Sequence, residues 1–441
     1  MAGMARMGTG ARAAAVMLVI AGIGVGAADT AAPPPPLALV AAGTTVTAER
    51  HSGGVVRFDL GLRVVAGREP FEVRARRAGY DKPVLAYRIV DVDGERTRVQ
   101  LPAGMVTGLR GLDGFTTITF TDGSGRIVAQ YRTVFCGNAE VSAPSRRDAA
   151  AANPYPIRCG GENPFALGAV WGVPAGWSAA VPDQPGSALK LAAGRYTATA
   201  TLAPRYRKAF GIPERNATAT VAVTVVDAAP PAPVTRPAPA APPAPSARPP
   251  VLDSTPKDGP RPDLRSLPAW HVSASRKDGR WLLSFRATIW NAGTSPLVMD
   301  GPYQLLFDSR GRPFGSRPAG DATGLAGHAL LDAERNVVAR GRAEAFCLAG
   351  TDAVDYTIPG ARWRPESTCT VLDIGNGATT TRTFDITDLP NGIYHLEVTA
   401  DPDGRLAELC ATDNTALRRI ILGGTPTART VEAAAVHGIT G

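Results

Sequence analysis

The chain has few histidines, few cysteines and few aromatic residues, and no lysine at all after Lys277. Its five histidines, His51, His271, His328, His395 and His437, are scattered, so no closely spaced imidazole pair stands ready to hold a metal. No GxSxG elbow, HExxH stretch or phosphate-cradling glycine loop occurs. That removes the local signatures of serine hydrolases, zinc peptidases and P-loop enzymes. No segment sustains a helical period, which argues against a helical bundle. Long apolar runs are missing too, apart from one at the N-terminus.

That run sets the first expectation. Arg6 and Arg12 precede an apolar stretch from Ala13 to Gly26, followed by the small residues Ala27 and Ala28. This is the order of a secretory signal peptide, placed here at 1–28, and the run is shorter than the ~20 residues a spanning helix needs. The expected protein is secreted or held in the cell envelope, with no membrane span after processing. Export gives the five cysteines an oxidising setting, where pairs within one domain become bridges. Cys136 and Cys159 are the pair available in the first half. Cys347, Cys369 and Cys410 lie in the second. The formal net charge is +8, but no Lys/Arg cluster is interleaved with aromatics, so nucleic acid is not an expected partner. An extracellular protein or an anionic envelope polymer fits better.

Of the 441 residues, those from 37 to 228 read as a β-rich domain. Phe115–Phe120 alternates, turns at Asp122-Gly123-Ser124-Gly125 and resumes toward Phe135, a hairpin signal. Val84–Val90 reads as a strand with Leu85, Tyr87 and Ile89 on one face. Tyr196–Leu202 and Ala217–Val226 read as two more strands. Residues 137–195 read as loop-heavy, with Trp171 and Trp177 plugging the end of a sandwich. Residues 229–262 are dominated at first by Pro and Ala, a composition that favours stiff polyproline II and makes a spacer. Beyond it, Trp281, Leu283, Phe285, Ala287 and Ile289 share one strand face. Tyr394, Leu396 and Val398 share another, after the turn at Asn391-Gly392. The expected fold class is all-β: two β-sandwich-like domains, 37–228 and 263–424, on a Pro/Ala-rich linker, with a tail at 425–441.

The second domain resembles the catalytic domain of the lysyl oxidase family. The phrases that carry the resemblance are DLRSLPAWHVSAS at 263–275, ATIWNAGTSPLVMDG at 287–301, HALLD and EAFCLAGTDAVDYTIPG within 328–360, FDITDLPNGIYHLEVTADPDGRL at 384–406 and TDNTALRRIILGGTP at 412–426. The resemblance implies a secreted copper enzyme that oxidises lysine amines with a quinone made from a lysine and a tyrosine. It also implies a bridge between Cys347 and Cys369, since the family has a cysteine at each place. Cys410 is then left over, as a buried thiol or as a handle for dimerisation.

The working parts implied by the family do not appear in this sequence. The segment Gly315–Asp332, where the family keeps its copper-binding histidines, contains His328 alone, at a place usually aromatic. The cofactor lysine's position is Ala343, which has no amine. The cofactor tyrosine belongs between Cys369 and Phe384, and Thr370–Thr383 contains no tyrosine. Tyr303, Tyr356 and Tyr394 lie elsewhere. The expected site is therefore without catalytic residues, metal or cofactor, and the expected function is a binding or structural module. The alternative is a copper-dependent amine oxidase using a different arrangement. A third reading is an adhesion protein dimerised through Cys410. Glu408, Asp413 and Asn414 offer oxygens that suit Ca²⁺, but such side chains more often cap loops.

Overall fold

In the computed structural model, the residues described are 36–182, 189–228, 259–298, 303–307, 313–318, 325–341, 347–365 and 369–441. The proposed signal peptide, most of the Pro/Ala stretch and Ala343 lie outside them. The fold is all-β, built from several sheets. No described helix is long and apolar enough to cross a membrane.

The first half contains a six-stranded sheet. Thr45–Arg50 pairs in parallel with Thr218–Asp227, which pairs antiparallel with Gly194–Leu202. Leu112–Asp122 and Ile127–Phe135 complete that side as the hairpin expected from the sequence. Its turn is closed by the Asp122 carboxylate, which accepts the Ser124 and Arg126 N–H groups and the Ser124 hydroxyl. Two four-stranded sheets pack with it around Leu37, Val64, Val73, Phe115, Phe120 and Trp171. One short helix, Pro204–Phe210, went unforeseen. Proline in its first turn needs no N–H donor there, and Gly211 closes it at φ 67°.

In the second half, two sheets face one another. Leu264–Ser266, Arg280–Asn291, Asn376–Asp385 and Asp352–Ala353 form the backbone of one, with Trp270–Lys277 paired to its central strand. Val337–Arg340, Ala326–Leu331, Gly392–Ala400, Thr415–Thr425 and Ala428–Ala433 form the other. Leu283, Phe285 and Ile289 meet Leu396, Val398, Ile420 and Leu422 between them. These are the inward faces that alternation assigned; Tyr394 is buried and Ile393 is exposed. Each fully buried large apolar side chain contributes about 1.5–3 kcal/mol.

Three details differ from the sequence reading. On Leu85–Val92 the buried residues are Ala86 and Ile89, and Leu85 is exposed, because this hairpin strand is only partly covered. The segment after 425 forms the edge strand Ala428–Ala433. Within the loop-heavy stretch, Gly168–Val173 is a strand with every residue buried. Trp171 and Trp177 lie on strands, Gly168–Val173 and Trp177–Ala180, rather than in a loop, and their indole N–H groups donate to the carbonyls of Cys159 and Ala150.

Both disulfides are formed, Cys136–Cys159 and Cys347–Cys369, and Cys410 is a free, half-buried thiol. Bridges of this kind fit an exported protein.

Candidate functional site: a cleft where the two halves meet

The strand Gly168–Val173 serves both halves because its two faces differ. Ala169, Trp171 and Val173 belong to the core of the first half. Gly168 and Val170 face the second, against Asp355 and Tyr356, while Gly172 takes the Tyr155 ring of its own half. A Cβ at Gly168 would lie 2.1 Å from Asp355 Oδ1, and one at Gly172 would lie 2.4 Å from the Tyr155 ring. Glycine allows this approach. Backbone bonds then cross the seam: the Leu167 and Gly168 N–H groups donate to Val354 O at 2.6 and 3.0 Å, and Tyr356 N–H donates to Gly168 O at 3.1 Å.

Two apolar clusters seal the contact. Phe165 packs with Leu267, Trp270, Trp290 and Val354. Tyr155 and Val170 pack with Tyr356, and Trp363 lies beside them, its ring stacked on Tyr155. Charged groups at the seam are paired. Arg76 reaches the buried Asp355 at 3.3 Å. Arg74 and Arg96 both bind the buried Glu72 carboxylate, and the Arg74 guanidinium lies 5.3 Å from the Trp363 ring.

Beside this seam opens a cleft of about 750 Å³. Residues 157–163 form one wall, and Cys347 with residues 349–353 the other, with Tyr356 and Trp363 as its aromatic side. Each wall carries one half of a disulfide, Cys159 or Cys347, so each is stapled to its own domain. Asp352 lies in the cleft and Asn163 reaches it from the opposite half. Burial pushes the Asp352 carboxyl above its ordinary range, against hydrogen bonds from Thr379 and Asn163 that favour the ionised form. Burial likewise raises the Tyr356 phenol, helped by the Asp352 and Asp373 carboxylates. Its hydroxyl donates to Asn376 Oδ1 at 2.9 Å.

The histidines do not converge on this cleft. His328 sits in the strand Ala326–Leu331, its ring near those of Phe285 and Phe384 at 6.1 and 5.6 Å. Gly341 presses so close that a Cβ there would lie 1.7 Å from His328 Nε2. His395 Nδ1 contacts Asp332 O, and His271 is tilted against Trp270. Tyr394 is a core residue whose hydroxyl donates to Pro390 O. Glu408, Asp413 and Asn414 are taken up by the chain itself. Glu408 accepts Leu264 N–H and the Asn414 amide, and Asp413 pairs with Arg265.

Residues 268–431 match the family model for lysyl oxidase. The second half is a lysyl oxidase domain. No curated protein matches the chain. Within this lysyl oxidase domain, the described residues contain no group of three or more His, Cys, Asp or Glu placed to hold a metal. The one histidine of the family's histidine-rich segment, His328, has its ring beside those of Phe285 and Phe384. The bridge implied by the lysyl oxidase resemblance, Cys347–Cys369, is present. The seam was missed in the sequence. The signal available there was the glycine pair Gly168 and Gly172, which falls on one face of a strand.

Proposed function

We propose that this chain is a secreted lysyl-oxidase-like protein that has lost amine oxidation and acts as a binding or structural module of the cell envelope. The observation that carries this is chemical. Quinone formation requires a tyrosine to oxidise and a lysine amine to trap the product, whereas Ala343 has no amine and Thr370–Thr383 has no tyrosine. The surroundings of His328 and the spread of the other histidines support the same reading. The cleft between the halves is the proposed recognition surface, because two walls from different domains and an aromatic side make a concave site for one partner. That partner is an extracellular protein or an envelope polymer.

The second reading, a copper-dependent amine oxidase with a different set of ligands, is favoured by the family match alone. The two are separated by purifying the protein after expression in copper-loaded medium. The expected result is no stoichiometric copper, no quinone absorption and no peroxide from alkyl amines or lysine-rich protein. Amine-dependent peroxide production that disappears on copper removal would establish the oxidase instead.

A further inference from the structure

One face of the four-stranded sheet made by Gly168–Val173, Phe71–Arg76, Leu85–Val92 and Glu95–Gln100 turns cations outward and keeps their carboxylates beneath. Register puts Glu72, Arg74 and Arg76 on the same side as Tyr87 and Ile89, and these beside Gln100 and Arg98, with Arg96 next along. Glu72 is buried, and a single guanidinium would match its charge. Arg74 and Arg96 both bind it, so one positive charge is left over. The Arg76 side chain is 55% exposed above the buried Asp355, and that of Arg96 is 57% exposed above Glu72. Each therefore holds its carboxylate by one edge of the guanidinium and turns the other edge to water. Arg98 is exposed and pairs with no carboxylate among the described residues. The second half adds the exposed Arg364, whose Nε donates to Tyr155 O at 3.1 Å. Tyr155 stacks on Trp363, and Arg74 lies over that same indole, so the two halves share one array. The exposed acid on this face, Asp91, lies at its far end and is held in its own turn by Gly94 N–H.

We propose that this face binds a linear acidic glycan, with the outward guanidinium edges of Arg76, Arg96, Arg98 and Arg364 taking its carboxylates. A guanidinium fork matches a planar carboxylate with two parallel hydrogen bonds. The neutral groups of the face select the glycan. Tyr87, half-exposed, lies on the strand between the two that carry the arginines, with the exposed Gln100 opposite it. Their phenol and amide offer donors and acceptors to hydroxyl groups. Carboxylates interspersed with hydroxyls are the chemistry of a polyuronate. A single-stranded nucleic acid would call for aromatic faces on which to stack its bases, and the Trp363 indole is already taken up by Tyr155 and Arg74. None of these arginines lines the cleft, so the site is a second one, and its failure would leave the reading of the cleft untouched. Nor does the inference rest on the loss of catalysis.

The test is titration calorimetry of the full-length protein with polygalacturonate. Binding is expected, weakening several-fold as NaCl is raised because exposed charges are screened, and neutral dextran should give no heat. Arg98→Glu breaks no ion pair among the described residues, so it should melt with the parent and bind the polymer several-fold more weakly. Arg364→Gln changes the contribution of the other half and should also weaken binding, which keeps the test usable if Arg98→Glu folds poorly. Arg276→Glu reverses an exposed charge on the strand Trp270–Lys277, away from this face, and should bind as the parent does. Absence of polygalacturonate binding would overturn the proposal, as would full affinity in both Arg98→Glu and Arg364→Gln. An equal loss in Arg276→Glu would also overturn it, by showing general attraction to a basic protein. So would tighter binding of a single-stranded oligonucleotide, or of phosphatidylglycerol vesicles, than of the glycan.

Discussion

Gly168 and Asp355 lie side by side across the seam, joined in a parallel β-bridge, with the Asp355 carboxylate occupying the space a Gly168 side chain would need. Gly168→Ala would set its methyl group 2.1 Å from Asp355 Oδ1. Overpacking of this kind costs about 1–3 kcal/mol. A lower melting temperature is expected by calorimetry, together with faster proteolysis of the 153–167 loop. Gly123→Ala, whose Cβ would meet nothing within 4 Å, serves as the control and should melt with the parent.

Cleavage within 229–262 should leave the two halves associated. That stretch has the composition of a spacer, while Phe165, Trp270, Trp290 and Val354 pack together across the seam. Limited proteolysis followed by gel filtration under native conditions is expected to give one peak containing both fragments. Two separate folded fragments would mean that the seam needs the intact tether.

Removing the Cys136–Cys159 bridge by a double serine substitution should cost about 3 kcal/mol, the loop-entropy value for a closure of this length. It should also free the 157–163 wall of the cleft. Cys410→Ser should change stability little, since the thiol is half-buried and its hydrogen bond to the Thr412 hydroxyl is one that serine can keep. Peptide mapping without reductant should find Cys410 unlinked to the other four cysteines.

Ala343→Lys by itself should not create amine oxidase activity. The substitution restores the amine of the expected cross-link but neither the tyrosine nor the copper ligands. Redox-cycling stain for quinone after incubation with Cu²⁺ should remain negative.

Glu408 gives a pH prediction of fixed sign. Burial raises its carboxyl above the ordinary glutamate value, outweighing the hydrogen bonds from Asn414 and Leu264 N–H. A carboxyl raised in the folded state binds its proton more tightly there than in the unfolded chain. Its contribution is therefore present below the unfolded value of about 4.3 and is lost as pH rises through the folded value. Relative to Glu408→Gln, the parent should lose stability as pH is raised across that interval, measured by urea unfolding at a series of pH values. A difference that grows in the opposite direction would reverse the assignment.

Much of the fold could be read from the chain because its signals are local. Alternation placed Leu283, Phe285 and Ile289 inward, and Leu396 and Val398 opposite them, since a strand with one wet face shows its period in the sequence. The Asp122 turn was legible because its side chain closes it within four residues. Ala343 and the empty tyrosine segment were legible because a missing functional group is a fact of composition. The strand Gly168–Val173 was not legible. It is buried on both faces, so it has no polar alternation, and glycine disfavours a strand unless another backbone must come close.

The sequence by itself determined the all-β class, the inward faces of the main strands, the available cysteines and the absence of the family's cofactor residues. Those follow from local periodicity and from side-chain chemistry. Tertiary structure alone decided that Asn163 meets Thr288 and Asp352, that Gly168 takes Asp355 against it, and that the two walls of the cleft come from different halves. These are contacts between residues far apart in the chain, made by packing two sheet systems together. No spacing within either segment encodes them.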